Sequence, residues 1–177
     1  LNCTLDHALS QTVGDTADKW VINLYSDADL GKCPFTKRST SGVYAEIAGP
    51  KTLAPIVGHS VKQTSMSEST PEAELVAAAK AIRGSGIPLL DLLENLLHRK
   101  VTMKAWEDNE ATEAIIKNGY SPKLRPLGRT HGVSIGRLNE CYSGDQNVAT
   151  IHRVDTSEMK ADIFTKSFLE VPKWLLA

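Results

Sequence analysis

Four carboxylates stand where this chain changes from one secondary element to the next. Asp27 closes a run of β-formers, Trp20-Val21-Ile22-Asn23-Leu24-Tyr25. Glu74 falls in the first turns of a helix predicted by the helical spacing of Leu75, Ala78, Ala79 and Ile82. Asp108 ends the alternating segment 101–106, and Asp162 lies one turn into a helix expected over 159–168. In open sheets, sites gather where strands end and helices begin. Carboxylates brought together repel and raise one another's pKa unless a hard cation sits among them. Mg²⁺ is such a cation, with Mn²⁺ as its expected substitute, because it takes oxygen ligands and keeps several waters. Two such ions about 4 Å apart activate water and stabilise a leaving oxygen during in-line attack on a phosphodiester. Spacing alone also fits solvated surface carboxylates and helix caps, since a chain with 21 acidic residues offers several at element ends whatever it does.

The elements that must position these groups follow a definite order. Segments 20–25, 42–48 and 53–62 read as strands, the third placed at an edge or bulge by Pro55 and Gly58. Thr70 is expected as N-cap and Pro71 as the first helical residue. Gly84-Ser85-Gly86 is expected to break this helix before a second apolar one over 88–98. A strand over 101–106, helices over 109–117 and 133–142, and a strand over 148–154 come next. Asp155-Thr156-Ser157-Glu158 has the spacing of a capping box for the last helix. Three consecutive strands read as an antiparallel meander. The strand–helix–strand alternation after them reads as parallel additions. The expected class is α/β, a mixed sheet flanked by helices. Residues 1–18 read as a tail or connector, 19–170 as one domain and 171–177 as a C-terminal tail.

Composition narrows the classes. At 177 residues and 41% hydrophobic, the chain is long enough to bury a core. No apolar run approaches the ~20 residues of a bilayer span, and no signal peptide is visible. The chain opens on Leu1 without an initiator Met, which makes a piece of a longer chain the expectation. Cys3, Cys33 and Cys141 lie far apart with no CxxC pairing, which argues against disulfides or a zinc site and suits a reducing compartment. The net charge of −1 is unlike most nucleic-acid binders. Its distribution is different: from 117 to 137 the chain carries Lys117, Lys123, Arg125, Arg129 and Arg137 and no Asp or Glu. A second basic group is Lys32, Lys37 and Arg38. Such stretches meet phosphates or are simply solvated loops.

Seven blocks in order carry a resemblance. They are Tyr25-Ser26-Asp27-Ala28-Asp29, Thr36-Lys37-Arg38-Ser39-Thr40-Ser41-Gly42, Lys62-Gln63-Thr64-Ser65-Met66-Ser67, Ser69-Thr70-Pro71-Glu72-Ala73-Glu74-Leu75-Val76-Ala77, Glu107-Asp108-Asn109-Glu110-Ala111, Gly128-Arg129-Thr130-His131 and Ala161-Asp162-Ile163-Phe164-Thr165-Lys166. Together they resemble the ribonuclease H domain of copia-type LTR retrotransposons over roughly residues 20–170. The resemblance implies a ribonuclease H-like fold with a five-stranded mixed sheet. It also implies hydrolysis of the RNA strand of an RNA/DNA hybrid with two Mg²⁺ ions. It places Asp27, Glu74, Asp108 and Asp162 in a metal-binding tetrad, with Glu72 at the helix start. A reverse transcriptase domain of the same polyprotein is the implied neighbour, in a cytoplasmic particle or the nucleus. The chain departs from the pattern at Gly58-His59-Ser60, His131-Gly132, Glu110 and Val154-Asp155-Thr156.

The expected substrate contacts are Lys37, Arg38, Ser39, Ser65, Asn109, Arg125 and Arg129, which suit phosphates and the 2′-OH of an RNA strand. His152 precedes Asp162 by ten residues and invites a proton-shuttle role, but its place on a strand favours a surface histidine. His131 is a further candidate contact. A second function class stays open: a domesticated domain serving as a structural or binding subunit.

Overall fold

The computed structural model of the protein describes residues 10–143 and 148–166. Residues 1–9 of the expected tail at 1–18, the expected tail at 171–177, and residues 167–168 of the expected last helix lie outside the described residues. Among the described residues six strands form one sheet: β1 (Thr12–Val13), β2 (Val21–Ala28), β3 (Thr40–Gly49), β4 (Thr52–Lys62), β5 (Thr102–Glu107) and β6 (Thr150–Arg153), in the order β1-β4-β3-β2-β5-β6. β2, β3 and β4 make an antiparallel meander, while β5 pairs parallel with β2, and β6 parallel with β5. Five strands answer to the expected ones. The sixth, β1, is a two-residue pairing on the outer edge of β4, made by a segment that reads as a tail.

Strand β4 contains the irregularity that Pro55 demands. Ala45 pairs with Val57 and Glu46 with Pro55, so Ile56 is an extra residue bulged out of the ladder. Proline has no N–H to give a ladder, and a bulge at a lightly paired strand accommodates it.

Alternation along β2 and β5 decides what each sheet face meets. Ile22 and Leu24 of β2, Val43 and Ala45 of β3, and Met103 and Ala105 of β5 form the main core. They pack against α1 (Thr70–Ala81), α2 (Ile87–Leu97), α3 (Glu110–Asn118) and α5 (Ile135–Ser143). Tyr25 points to the other face, where it meets Met159 and Ala161 with Tyr44 and Trp106. A short helix α4 (Leu127–Thr130) lies in the basic segment and buries Leu127.

Three helix boundaries differ from expectation. Ser69, not Thr70, is the N-cap of α1 and accepts from Glu72 N–H at 3.4 Å. The reason is Pro71, which is tolerated at either of the first two helical positions, so Ser69 with its extended backbone can take the cap. Gly84-Ser85-Gly86 does not break the helix. Residues Ile82–Gly86 form a π-turn, with Ile87 N–H donating to Ile82 C=O, that carries α1 directly into α2. Widening the turn relieves the clash between the Pro88 ring and the carbonyl four residues earlier. The expected last helix is instead two 3₁₀ turns, Thr156–Glu158 and Lys160–Phe164. Asp155 Oδ1 accepts from Ser157 N–H and Ser157 Oγ, closing a local turn rather than capping an α-helix.

This C-terminal segment lies close over β3 and β4. A Cβ on Gly42 would sit 2.7 Å from Ala161 O, and one on Gly58 2.6 Å from the Phe164 ring. Bare backbone at both positions is what lets the segment dock. Gly42→Ala is expected to destabilise the chain by about 1–3 kcal/mol through overpacking, measured by urea unfolding. Gly84→Ala, where a Cβ meets nothing within 4 Å, is expected to be neutral or slightly stabilising. Equal midpoints for both variants would mean the segment is not packed on β3.

Candidate active site

β2 and β5 are adjacent parallel strands, and the sheet changes direction of growth between them, with the meander on one side and β6 on the other. Carboxyl ends at such a switch point form a crevice. The register pairs Tyr25 with Trp106, so two residues further on Asp27 and Asp108 lie side by side. Asp27, Asp108 and Asp162 each offer a carboxylate oxygen, and these oxygens all lie within 4.8 Å of one another. Asp162 arrives from the 3₁₀ turn Lys160–Phe164, on the sheet face opposite the main helices.

Glu74 approaches from that helical layer and is not part of the close trio. It faces Glu107, a carboxylate that the sequence reading passes over. Glu107 is in phase with Met103 and Ala105, so its side chain points into the helix-covered face. Its Oε1 accepts from Asn109 N–H at 3.2 Å. The Oε2 atoms of both Glu74 and Glu107 are buried without a hydrogen-bond partner. A glutamate in phase with the buried residues of a strand is the signal that could have singled it out.

Electrostatics follow from this crowding. Burial, then Glu107, Asp27 and Asp108, push the Glu74 carboxyl up to about 10. Burial likewise holds Glu107 well above the usual carboxylate range, with Asp108 and Asp27 adding to the effect. Asp27 is raised by burial against the opposing influence of Thr165 and Lys166. Asp162 is raised to about 6, mainly by burial and partly by Asp27 and Asp108. Thr165 Oγ1 donates to Asp27, and Lys166 Nζ lies 2.6 Å from Asp162 Oδ1. The three converging aspartate oxygens, with the unpartnered Oε2 of Glu74 beside them, are a donor set of the kind that suits a hard divalent cation.

A polar network on the open face holds Asp162 in place. Glu46 is 1% exposed, and Lys160 Nζ donates to both of its oxygens at 2.8 Å. Tyr44 OH and Asn23 Nδ2 also donate to this carboxylate, and Trp106 Nε1 donates to Asn23 Oδ1. The Lys160 ammonium lies 5.5 Å from the Tyr25 ring centre and 5.8 Å from that of Tyr44. Lys160 is two residues from Asp162, so the network ties the segment carrying Asp162 to three strands.

The expected substrate contacts divide into two groups. Lys37, Arg38, Arg125 and Arg129 are exposed, with the Arg125 guanidinium 6.0 Å from the Tyr120 ring centre. Ser39 is wholly buried and its Oγ accepts from Gly31 N–H, so its hydroxyl braces the β2–β3 loop and is not presented to a ligand. Ser65 Oγ donates to Thr130 O, and Asn109 Oδ1 caps α3 by accepting from Thr112 N–H. His152 lies on β6, with its ring centre 5.3 Å from that of Trp106 and Nε2 2.8 Å from Thr150 Oγ1. Burial, then Lys104 and Lys117, lower its pKa.

Two outcomes follow. Lys160→Met leaves Glu46 buried without its cation. A loss of about 2–3 kcal/mol is expected, below the ~3–5 of a fully buried pair because Lys160 keeps a third of its side chain exposed; a denaturation midpoint equal to wild type would count against the clamp. Glu107→Gln is expected to stabilise the metal-free chain at pH 8. A carboxyl whose folded pKa is raised binds more protons folded than unfolded, so its ionisation lowers stability as pH rises from its unfolded value, 4.5, upward. Melting curves from pH 4 to 9 should therefore fall less steeply in the variant, with roughly 2–4 °C gained per kcal/mol relieved. Parallel curves would mean that Glu107 does not share in the crowding of these carboxyls.

No family model matches the sequence, and no curated protein does. Solved structures do match. Ribonuclease H1 from the halophilic archaeon Halobacterium salinarum NRC-1 aligns with a TM-score of 0.53 at 13% identity, over 81% of this chain and 93% of its own. LC11-RNase H1, isolated from compost by a metagenomic approach, aligns with a TM-score of 0.54 at 13% identity, over 82% of this chain and 92% of its own. With its mixed open sheet and flanking helices, the chain has the ribonuclease H-like fold.

Proposed function

We propose that the protein is a ribonuclease H, an endonuclease that hydrolyses the RNA strand of RNA/DNA hybrids with divalent metal ions. The observation that carries this reading is the trio Asp27, Asp108 and Asp162, within 4.8 Å of one another at the ends of parallel strands in a ribonuclease H-like fold. Its likeness to two ribonucleases H1 supports it. The seven sequence blocks support the finer reading: a copia-type retrotransposon domain acting in reverse transcription beside a reverse transcriptase domain, in a cytoplasmic particle or the nucleus.

In this mechanism Asp27, Asp108 and Asp162 would hold Mg²⁺, with Glu74 completing the set from the helical side. Such ions, when bound, would supply an activated water and Lewis-acid stabilisation of the leaving oxygen. The chain's own residues prepare that chemistry. Thr165 orients Asp27 by donating to it, and the Glu46–Lys160 clamp keeps Asp162 at its place. Lys166 compensates part of the negative charge at Asp162. Lys37, Arg38, Arg125 and Arg129 grip the backbone, which positions a duplex without reading its bases. Ser65 and Asn109 serve indirectly, Ser65 by tying its loop to Thr130 O and Asn109 by capping α3. The near-neutral net charge keeps the alternative of a structural or binding subunit as the outcome if cleavage is absent.

Incubation of the full chain with a labelled hybrid and Mg²⁺ tests the reading. Cleavage of the RNA strand is expected, lost in EDTA and reduced at least about 100-fold, or roughly 2.7 kcal/mol of barrier, by Asp27→Asn or Asp108→Asn. Mg²⁺ should also raise the melting temperature of the wild type, by about 2.7 kcal/mol of stability at a hundred times its dissociation constant, and not that of the variants. Hybrid cleavage undiminished in both variants would place the chemistry elsewhere. Changing Arg125 and Arg129 together to Ala should weaken binding similarly across hybrid sequences and flatten its salt dependence.

A further inference from the structure

The turn that brings Asp162 to the strand ends also brings a cation. Lys166 follows Asp162 by four residues, and its Nζ lies 2.6 Å from Asp162 Oδ1 with 31% of the side chain exposed. Asp27 and Asp108 act on the same ammonium, so it faces all three aspartates of the trio. The residue before it, Thr165, donates from Oγ1 to Asp27. Two consecutive side chains thus engage two of the three carboxylates. The backbone beneath them is fixed. Thr165 N–H and Lys166 N–H both donate to Asp162 O, at 3.1 and 2.8 Å. Ser60 Oγ donates to Phe164 O at 2.6 Å, and the Phe164 ring stacks on Tyr44 with centres 6.4 Å apart. The ammonium is therefore delivered by a docked turn.

Neighbouring cations are engaged elsewhere. Lys160 is paired with Glu46, and Arg153 with Glu110. Among the described residues, Lys166 makes the one ion pair with a member of the trio. An ammonium donates hydrogen bonds to these oxygens but brings a single charge to three carboxylates. A divalent cation brings twice that charge and takes the oxygens as direct ligands. Two cations drawing on the same carboxylate repel each other strongly at such distances in a partly desolvated site. The ammonium and the ion therefore exclude one another from Asp162, and the ion of higher charge prevails once it is present in excess.

We propose that Lys166 is a built-in competitor for the metal site: its ammonium pairs with Asp162 in the metal-free protein and leaves that carboxylate when a divalent cation binds. The inference deepens the ribonuclease H reading and rests on it for the identity of the metal ligands. Lys166 is a positioning residue, since it acts through Asp162. Two properties follow from the arrangement. Before metal arrives, the ammonium supplies counter-charge that lets Asp162 stay against Asp27 and Asp108 despite their repulsion. The same contact sets the metal affinity, because a ligand set that is free for only a fraction of the time binds with its affinity reduced by that fraction. Loss of Lys166 should therefore destabilise the metal-free chain and tighten metal binding at once.

The test uses the full chain without nucleic acid, and its readout is metal binding. Mg²⁺ and Mn²⁺ affinities are measured by calorimetry for the wild type, Lys166→Met, Lys166→Arg and Lys19→Met, and each protein is melted with and without metal. Lys166→Met is expected to bind about tenfold more tightly, as it would if the ammonium held Asp162 for about nine-tenths of the time. Lys166→Arg keeps the competing charge and should stay closer to the wild type than to Lys166→Met. Lys19 is exposed and precedes β2, whereas Asp27 lies near the end of that strand, so Lys19→Met controls for net charge and should leave affinity nearly unchanged. Without metal, Lys166→Met should melt below the wild type, and Mg²⁺ should raise its melting temperature by more. A variant that merely loosened the turn would hold Asp162 less well and bind metal more weakly. In the wild type itself, Mg²⁺ should quicken acylation of the Lys166 amine by an N-hydroxysuccinimide ester, read by mass spectrometry, and leave Lys19 unchanged. Equal or weaker metal binding by Lys166→Met, an equal gain in Lys19→Met, or Lys166 acylation indifferent to Mg²⁺ would overturn the competitor, while hybrid cleavage by the wild type upheld the enzyme reading. Tighter binding by Lys166→Met with no cleavage by the wild type would keep the competitor and sink the enzyme reading. Absence of metal binding in every protein would sink both.

Discussion

Mutual repulsion among carboxylates is the constraint around which this structure is arranged. Asp27, Asp108 and Asp162 converge within 4.8 Å, and Glu74 and Glu107 crowd the same strand ends from the other face. Like charges at such distances do not ionise together in a low-dielectric site without a counter-charge. Within the described chain the compensation is small: a hydroxyl from Thr165 and an ammonium from Lys166. The arrangement therefore costs stability in the metal-free chain, and it persists because packing elsewhere holds the strands and segments that carry it. Strain of this kind is characteristic of sites whose ligand supplies the missing charge.

The two sheet faces provide that hold by different physics. On the helical face, a continuous apolar core from Ile22 and Leu24 to Leu138 and Tyr142 sets the position of α1, and with it Glu74. Tyr142 adds a hydrogen bond to Ala78 O at 3.1 Å, linking α5 to the middle of α1. On the opposite face the Lys160–Phe164 turn lies on tyrosines, two bare glycines and the buried Glu46 carboxylate. A polar clamp is geometrically stricter than apolar packing, because a buried charge tolerates only the partner that satisfies it. That strictness fits a segment that sets Asp162 against two strand ends.

Net charge conceals how the fold sorts its ions. The chain is near neutral overall, yet acidic groups collect at the carboxyl ends of β2 and β5. Basic ones line the outer face of α1 and the segment around α4. Such segregation creates a local field that a global count cannot show.

Much of this protein is determined by sequence alone. Period-2 and period-3.6 patterns specify the five main strands and the helices that cover them, because burial on one face imposes that periodicity on the chain. Pro55 announces the bulge in β4, since a residue without an N–H has no place in a regular ladder. The ordered motifs around Asp27, Glu74, Asp108 and Asp162 make these four legible as a candidate site. Tertiary structure alone decided the rest. It drew Asp162 in on 3₁₀ turns instead of an α-helix, carried the Gly84–Gly86 stretch through as a π-turn, and paired Thr12–Val13 with an edge that local pattern does not reveal. It also set Glu107 facing Glu74 and turned Ser39 inward, because strand register, not residue type, determines which face a side chain meets. The separation of the close trio from Glu74 depends on contacts between segments distant in the chain. No local window of sequence contains them.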